Sequence, residues 1–210
     1  ELEVLRKPSV AATNLTGFLV GLAMFASFLI FPQFAQAPES TGYGFGLSVT
    51  AAGLVMMPTA ITQLAAGPVA ARLAHRIGLR ETLSLGTVLI TTAFVINTFA
   101  HDHVWELILS GLLIGAGITF SFAASANLIV EAVPQGEVGI ATGINTIMRT
   151  VGGSYGAAAV TAILTASTIP PTEGAYTSAF AFSAVAGALA LFASRLVPPP
   201  PRVRLEPVVE

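Results

Sequence analysis

The sequence predicts an all-α membrane protein built as a bundle of six transmembrane helices, and three observations predict it. Of its 210 residues, 54% are apolar and only 10% are charged, against roughly a quarter charged in an ordinary soluble domain. The charges are also clustered, so the runs 8–38, 40–71, 82–101, 107–130, 150–172 and 174–194 carry none, and each holds 20 residues or more. A helix of about 20 apolar residues crosses the ~30 Å hydrocarbon layer, because each residue advances it by ~1.5 Å. Finally, nearly all Lys and Arg residues fall at alternate ends of the expected spans, as they do when cationic segments stay on the cytoplasmic side during insertion.

The first span, about 13–34, follows Arg6 and Lys7 and carries Asn14, Gly17, Gly21, Met24, Phe25 and Phe28 on one stripe before ending in Phe31-Pro32-Gln33. The second, about 50–70, contains Pro58, which removes one intrahelical hydrogen bond. Arg72, Arg76 and Arg80 read as the connection to the third span, about 82–100. The fourth, about 107–130, brings Gly111, Gly115, Phe120, Phe122, Ser125 and Asn127.

In the fifth, about 139–164, Thr142, Asn145, Thr146, Arg149, Gly152, Gly153 and Gly156 recur at three- and four-residue steps and so share a face. A polar face on such a helix meets protein or water, since unpaired polar groups are costly against lipid. Arg149 lies about ten residues in, roughly 15 Å at helical rise. It serves a cavity or an internal ion pair, or else snorkels to the interface or pairs with a loop acid such as Glu131. The sixth span, about 175–195, is followed by Pro198–Pro201, which cannot continue a helix. Residues 1–197 thus form one membrane domain and 198–210 a proline-rich tail.

An even number of spans puts both termini on one side, and with those termini cytoplasmic, eight of the nine cations share that face. The glycine pairs Gly17/Gly21, Gly111/Gly115, Gly139/Gly143 and Gly152/Gly156 are expected to let helix backbones approach closely. An aromatic and amide lining from Asn14, Phe25, Phe28, Gln33, Phe120, Asn127, Asn145 and Arg149 suits a greasy small-molecule pocket.

The same residues limit the chemistry. With no cysteine there is no disulfide, thiol catalysis or Cys-ligated metal. A net charge of -2 offers no basic surface for nucleic acid. Gly152-Gly153-Ser154-Tyr155-Gly156 matches a serine-nucleophile pattern, yet the three histidines, His75, His101 and His103, read as loop residues far from it, so an enzyme is not expected. His101-Asp102-His103 reads as a solvated loop rather than a metal site, and no metal or cofactor is expected.

The segment Ala71-Arg72-Leu73-Ala74-His75-Arg76-Ile77-Gly78-Leu79-Arg80 resembles the cytoplasmic signature loop of the major facilitator superfamily, G-x-L-x-D-R-x-G-R-[KR]. Leu73, Arg76, Gly78 and Arg80 match, while Ala71, His75 and Leu79 replace a Gly, the Asp and an Arg. Two further stretches are similar to the C-terminal half of the fourteen-span drug:proton antiporters. One holds Pro32-Gln33, Gly42-Tyr43-Gly44, Ala52-Gly53-Leu54 and Pro58; the other runs from Val133-Pro134 through Gly139, Gly143, Asn145, Arg149 and Gly152-Gly153. The resemblance covers essentially the whole chain. It implies the last six spans of a transporter, with the first, second, fourth and fifth facing a central cavity and the less polar third and sixth facing lipid.

The expected function is secondary active, proton-coupled efflux of amphipathic small molecules by alternating access, with this chain as the C-terminal half in a cell membrane. Its partners would be the lipid bilayer, the N-terminal half or a second copy, a small-molecule substrate and protons. A half-size homodimeric carrier and a non-transporting sensor or assembly partner are the alternatives. No acid sits near the middle of a span, so the titrating group for coupling is expected from the other half.

Overall fold

A computed structural model describes residues 7–166 and 168–198. Apart from Pro198, the proline-rich tail lies outside the described residues. Six long helices follow one another: α1 Pro8–Gln36, α2 Val49–Ile77, α3 Leu79–Phe99, α4 Val104–Ala132, α5 Val138–Thr165 and α6 Glu173–Arg195, with single 3-10 turns at Glu39–Thr41 and Gln135–Glu137. No strand occurs among the described residues. Five helices, α1 to α4 and α6, are long and apolar enough to cross a membrane. α5 has the length, at 28 residues, but its Thr, Asn and Gly residues and Arg149 dilute its apolar ones.

The helices overrun the apolar stretches because polar residues continue a helix past the hydrocarbon. α1 opens at Pro8, whose missing N–H costs nothing in a first turn. α2 runs unbroken through Pro58 and Pro68 to Ile77. Arg72 and Arg76 therefore sit on its last turns, correcting the expectation that they lie in a connection. That connection is Gly78 alone, at φ +91° and ψ 160°, a conformation essentially open only to glycine. Its N–H bonds back to the Ala74 carbonyl at 3.0 Å, and its own carbonyl accepts from the Thr82 N–H at 3.1 Å and hydroxyl at 2.8 Å, so one residue closes α2 and starts α3.

Packing follows an internal two-fold pattern. Exchanging α1, α2, α3 for α4, α5, α6 turns the α1–α5 interface into α4–α2 and the α3–α4 interface into α6–α1, while α1–α4 and α3–α6 map onto themselves. Each of these six interfaces is extensive, and adjacent pairs such as α1–α2 and α4–α5 touch only lightly. α1, α3, α4 and α6 thus enclose the core, where Phe31, Phe34, Phe94, Phe180, Ile90 and Ile114 are buried. α2 leans mainly on α4 and α5 mainly on α1, each leaving its other side uncovered. Leu54, Met57, Ile61 and Leu64 stand exposed along α2.

α3 and α6 turn outward with Val88, Val95 and Phe99, and with Val185, Leu189 and Phe192. They are not poor in polar residues, however. Thr82, Ser84, Thr87, Asn97, Ser183 and Ser194 are buried, bonded to carbonyls of their own helix or, for Ser84 and Ser194, to each other at 2.9 Å. Most of their polarity points inward, so the outward faces are largely apolar, with Thr92 and Ser178 as exposed exceptions.

Candidate functional site

The site side of the bundle is set by two glycine-mediated crossings. Where α1 meets α5, a Cβ added at Gly152 would stand 2.0 Å from the Phe18 carbonyl oxygen, one at Gly156 2.3 Å from that of Leu22, and one at Gly21 2.1 Å from that of Arg149. The backbones therefore touch, as small residues at helix interfaces allow. Gly17 leaves room for the Asn145 amide, 3.0 Å from where its Cβ would be, and Asn145 Nδ2 donates to Asn14 Oδ1 at 3.0 Å with both side chains buried.

The α2–α4 crossing is the counterpart. Cβ atoms at Gly111 and Gly115 would meet Thr59 Oγ1 at 2.4 Å and the Thr59 carbonyl oxygen at 2.5 Å. The Thr119 hydroxyl donates to the Gln63 carbonyl at 3.1 Å. A third close approach, Gly86 on α3 against Gly117 on α4, escaped the sequence reading because the two glycines lie on different helices and form no pair four apart. The expected Gly139/Gly143 pair does not pack within this chain: a Cβ at either position meets nothing within 4 Å.

Beside the α2–α4 crossing lies a cavity of about 370 Å³ between α1, α2 and α4. Ser27, Phe28, Phe31 and Pro32 line it from α1, Met56, Thr59, Ala60 and Gln63 from α2, and Ile114 from α4. Ser27 spends its hydroxyl on the Met24 carbonyl. Thr59 Oγ1 is buried against Gly111 in the crossing and makes no hydrogen bond among the described residues, which leaves a mainly apolar pocket with the Gln63 side chain as a polar group on its wall. Such a balance suits an amphipathic organic molecule held by shape and one or two polar contacts.

Of the eight cavity candidates named from the sequence, only Phe28 lines this cavity. Phe25 covers Gly153 at the α1–α5 crossing and meets Phe28 edge-on at 6.1 Å. Gln33 is exposed and outside the cavity. Phe120 is buried against Ala66 and Ala70 of α2, and Asn127 is exposed with its amide donated to the Ala123 carbonyl of its own helix at 2.8 Å. Asn14 and Asn145 serve each other. Arg149 is half-buried, its guanidinium 4.1 Å from the centre of the Phe122 ring on α4, and it forms no ion pair with Glu131 or any other acid among the described residues. Ser154 donates to the Thr150 carbonyl at 3.1 Å.

Thr59, Gln63 and Met56 were missed. The signal is present, since Thr59 and Gln63 are four apart and so share one face of a helix, but two such polar residues do not by themselves mark which face turns inward.

At the end of the bundle that holds both termini, Arg72 and Arg76 are exposed. Arg80 donates from Nη2 to the Arg195 carbonyl at 2.6 Å, and Arg195 pairs with Glu81 at 3.0 Å, tying α3 to the last turn of α6. Lys7 Nζ donates to the Ala132 carbonyl at 2.9 Å, and a recess of about 450 Å³ lies between Lys7, Gly78, Arg80 and Glu131. At the opposite end the solvated-loop reading fails for His101. It is only 8% exposed, edge-on to Phe34 at 5.5 Å and within reach of Glu173 on α6.

Long apolar helices packed in this two-fold manner around a mainly apolar pocket make a multi-pass membrane protein. The chain belongs to the Major Facilitator Superfamily, whose family model matches residues 13–210. It is similar to the "Tetracycline resistance determinant" of Streptomyces rimosus, 26% identical over 166 residues that make up 78% of this chain and 46% of that protein. It is also similar to the "Multidrug resistance protein Stp" of Mycobacterium tuberculosis (strain ATCC 25618 / H37Rv), 28% identical over 167 residues, 79% of this chain and 30% of the relative. The "Multidrug transporter protein MdtP" of Bacillus subtilis (strain 168) is 23% identical over 155 residues, 73% of this chain and 28% of its own length. The matched region spans less than half the length of each of these relatives.

Proposed function

We propose that this chain is the C-terminal six-span half of a proton-coupled efflux transporter for amphipathic small molecules in a cell membrane, working by alternating access with both termini cytoplasmic. α5 then also spans the membrane as the fifth of six, its polar side turned to protein and to the transport pathway. The observation that carries the reading is the cavity between α1, α2 and α4, on a bundle whose α2 and α5 lack partners on one side. In transporters built from two such units, the substrate site lies where the units meet. The relatives named for tetracycline and multidrug resistance support a drug-like substrate.

In this reading Phe28 with Gln63 receives the substrate. The Asn14–Asn145 bond and the glycine crossings hold α1 against α5, while Phe25, Gln33, Phe120, Asn127 and Arg149 contribute to the pathway or its supports. Arg76 and Arg80 act at the cytoplasmic face, and Gly139 and Gly143 face the missing half. The proton-titrating group for coupling comes from that half.

The test is export from lipid vesicles under a proton gradient, comparing this chain with a protein that also carries the preceding half. Drug-dependent proton movement is expected only when both halves are present. Proton-linked export by the 210-residue chain alone, as a monomer, would overturn the reading, and export by a crosslinkable pair of copies would favour the half-size carrier.

A further inference from the structure

Arg149 sits near the middle of α5, roughly 16 Å along the helix from Val138. One face of its guanidinium lies over the Phe122 ring of α4, 4.1 Å from the ring centre. A guanidinium carries N–H donors all round its edge and no acceptor, and none of these donors meets a protein acceptor among the described residues. This half has no acid to offer at that depth, because every acid among the described residues lies in a connection or in the first or last turn of a helix. A cation fixed by its face and free at its edge, halfway along a membrane helix, is set to take an oxyanion from outside the chain. A carboxylate fits best, since its two oxygens match two parallel N–H donors of the planar fork.

The pocket between α1, α2 and α4 lies within reach of this edge. On α1, Gly21 touches the Arg149 carbonyl, whereas Phe28 of the pocket wall stands two turns further on, roughly 10 Å. On α4, Phe122 lies a little over two turns from Ile114 of the same wall, roughly 12 Å. The surface between is aromatic: Phe25 covers Gly153, one turn beyond Arg149, and meets Phe28 edge-on at 6.1 Å. The pocket wall itself carries no charged side chain.

We propose that Arg149 on Phe122 is the carboxylate-binding end of the substrate site, and that this site selects amphipathic aromatic acids. The rings occupy the pocket beside Phe28 and the carboxylate lies on the guanidinium, so the ligand spans about 10–12 Å. The same fixed charge turns away an organic cation, which would face like charge in a poorly screened setting. The inference rests on the half-transporter reading above, in which this face of the bundle is turned to the pathway. A side-chain carboxylate of the preceding half would offer Arg149 the same chemistry, and the experiment separates the two sources.

The experiment is equilibrium dialysis of biphenyl-4-carboxylate and biphenyl-4-carboxamide against this chain in phosphatidylcholine nanodiscs near neutral pH, with binding to empty nanodiscs subtracted. In the wild type the acid is expected to bind about tenfold or more tightly than the amide, the worth of a charge-assisted contact. Arg149→Gln is expected to erase the preference with little change in amide affinity, which also reports that the variant is folded. Arg149→Lys is expected to keep part of it, having the charge without the planar fork. Equal affinities in the wild type, no binding of either probe, or a preference that survives Arg149→Gln overturns the proposal. The same pair is measured on a protein that also carries the preceding half. A preference kept there supports a substrate acid, whereas one lost there assigns Arg149 to a carboxylate of that half and overturns the substrate class. Export under a proton gradient is a separate readout: where it holds without a preference for the acid, the substrate class falls and the half-transporter reading stands.

Discussion

The Asn145 side-chain amide donates to the Asn14 side-chain oxygen across the α1–α5 crossing at 3.0 Å, and neither side chain reaches the surface. The bond is possible because Gly17 has no Cβ to fill the space of the amide. Truncating either partner leaves a buried polar group alone, at a cost of about 1–3 kcal/mol. Asn14→Ala and Asn145→Ala should each lower the thermal stability of the purified protein, and the double variant should lose less than the sum. Additive losses would mean that the two side chains act independently.

Not every glycine pair does the same work. Gly152→Ala forces a methyl group against the Phe18 carbonyl and should cost about 1–3 kcal/mol, as overpacking does. Gly143→Ala meets open space and should be neutral or gain up to about 1 kcal/mol from better helix propensity. Thermal unfolding of the two variants of this chain side by side checks the contrast.

Gln63 separates folding from binding. It lines the cavity and is only half-buried, so Gln63→Leu should leave stability nearly unchanged. The same change should weaken binding of a ligand that bonds this amide by roughly fivefold, the worth of one ordinary hydrogen bond at ~1 kcal/mol. Equilibrium binding of a fluorescent tetracycline, measured beside a melting curve, shows whether the two effects part.

Arg149 rests on an aromatic ring and not on an acid. A cation over a ring is worth about 0.5–2 kcal/mol depending on its desolvation. A double-mutant cycle of Arg149→Gln with Phe122→Leu should therefore show coupling of that order, whereas the cycle with Glu131→Gln should show none. Coupling to Glu131 in its place would restore the ion-pair reading of this residue.

The order of the helices was legible in the sequence because charge-free runs long enough to cross a bilayer are hard to mistake, but only five of the six are long and apolar enough to span, since Arg149 and the polar residues of α5 break its apolar run. That the glycine-bearing faces of α1 and α5 pack closely was also legible, since glycines four apart invite close contact, but that they pack on each other was not, because no pattern within one helix names its partner. The ends of α2 were not: hydropathy falls at Arg72, but a helix breaks where its backbone must, at Gly78. The pocket was only partly legible, for Phe28 could be named, yet which face of α2 turns inward depends on contacts with α4 that no pattern within α2 encodes. His101 was misread because its burial comes from Phe34 and Glu173, distant in sequence and close only once α1 and α6 have packed.

The single-residue link at Gly78 leaves no slack between α2 and α3. Adjacent Cα atoms are ~3.8 Å apart whatever the chain does, so a tilt of α2 cannot be absorbed by a loop and must pull on the first turn of α3. That turn carries Arg80, whose guanidinium grips the carbonyl of Arg195 at the foot of α6. A push on α2, which is covered on one side only, therefore travels as through a lever to the two helices on the far side of the bundle.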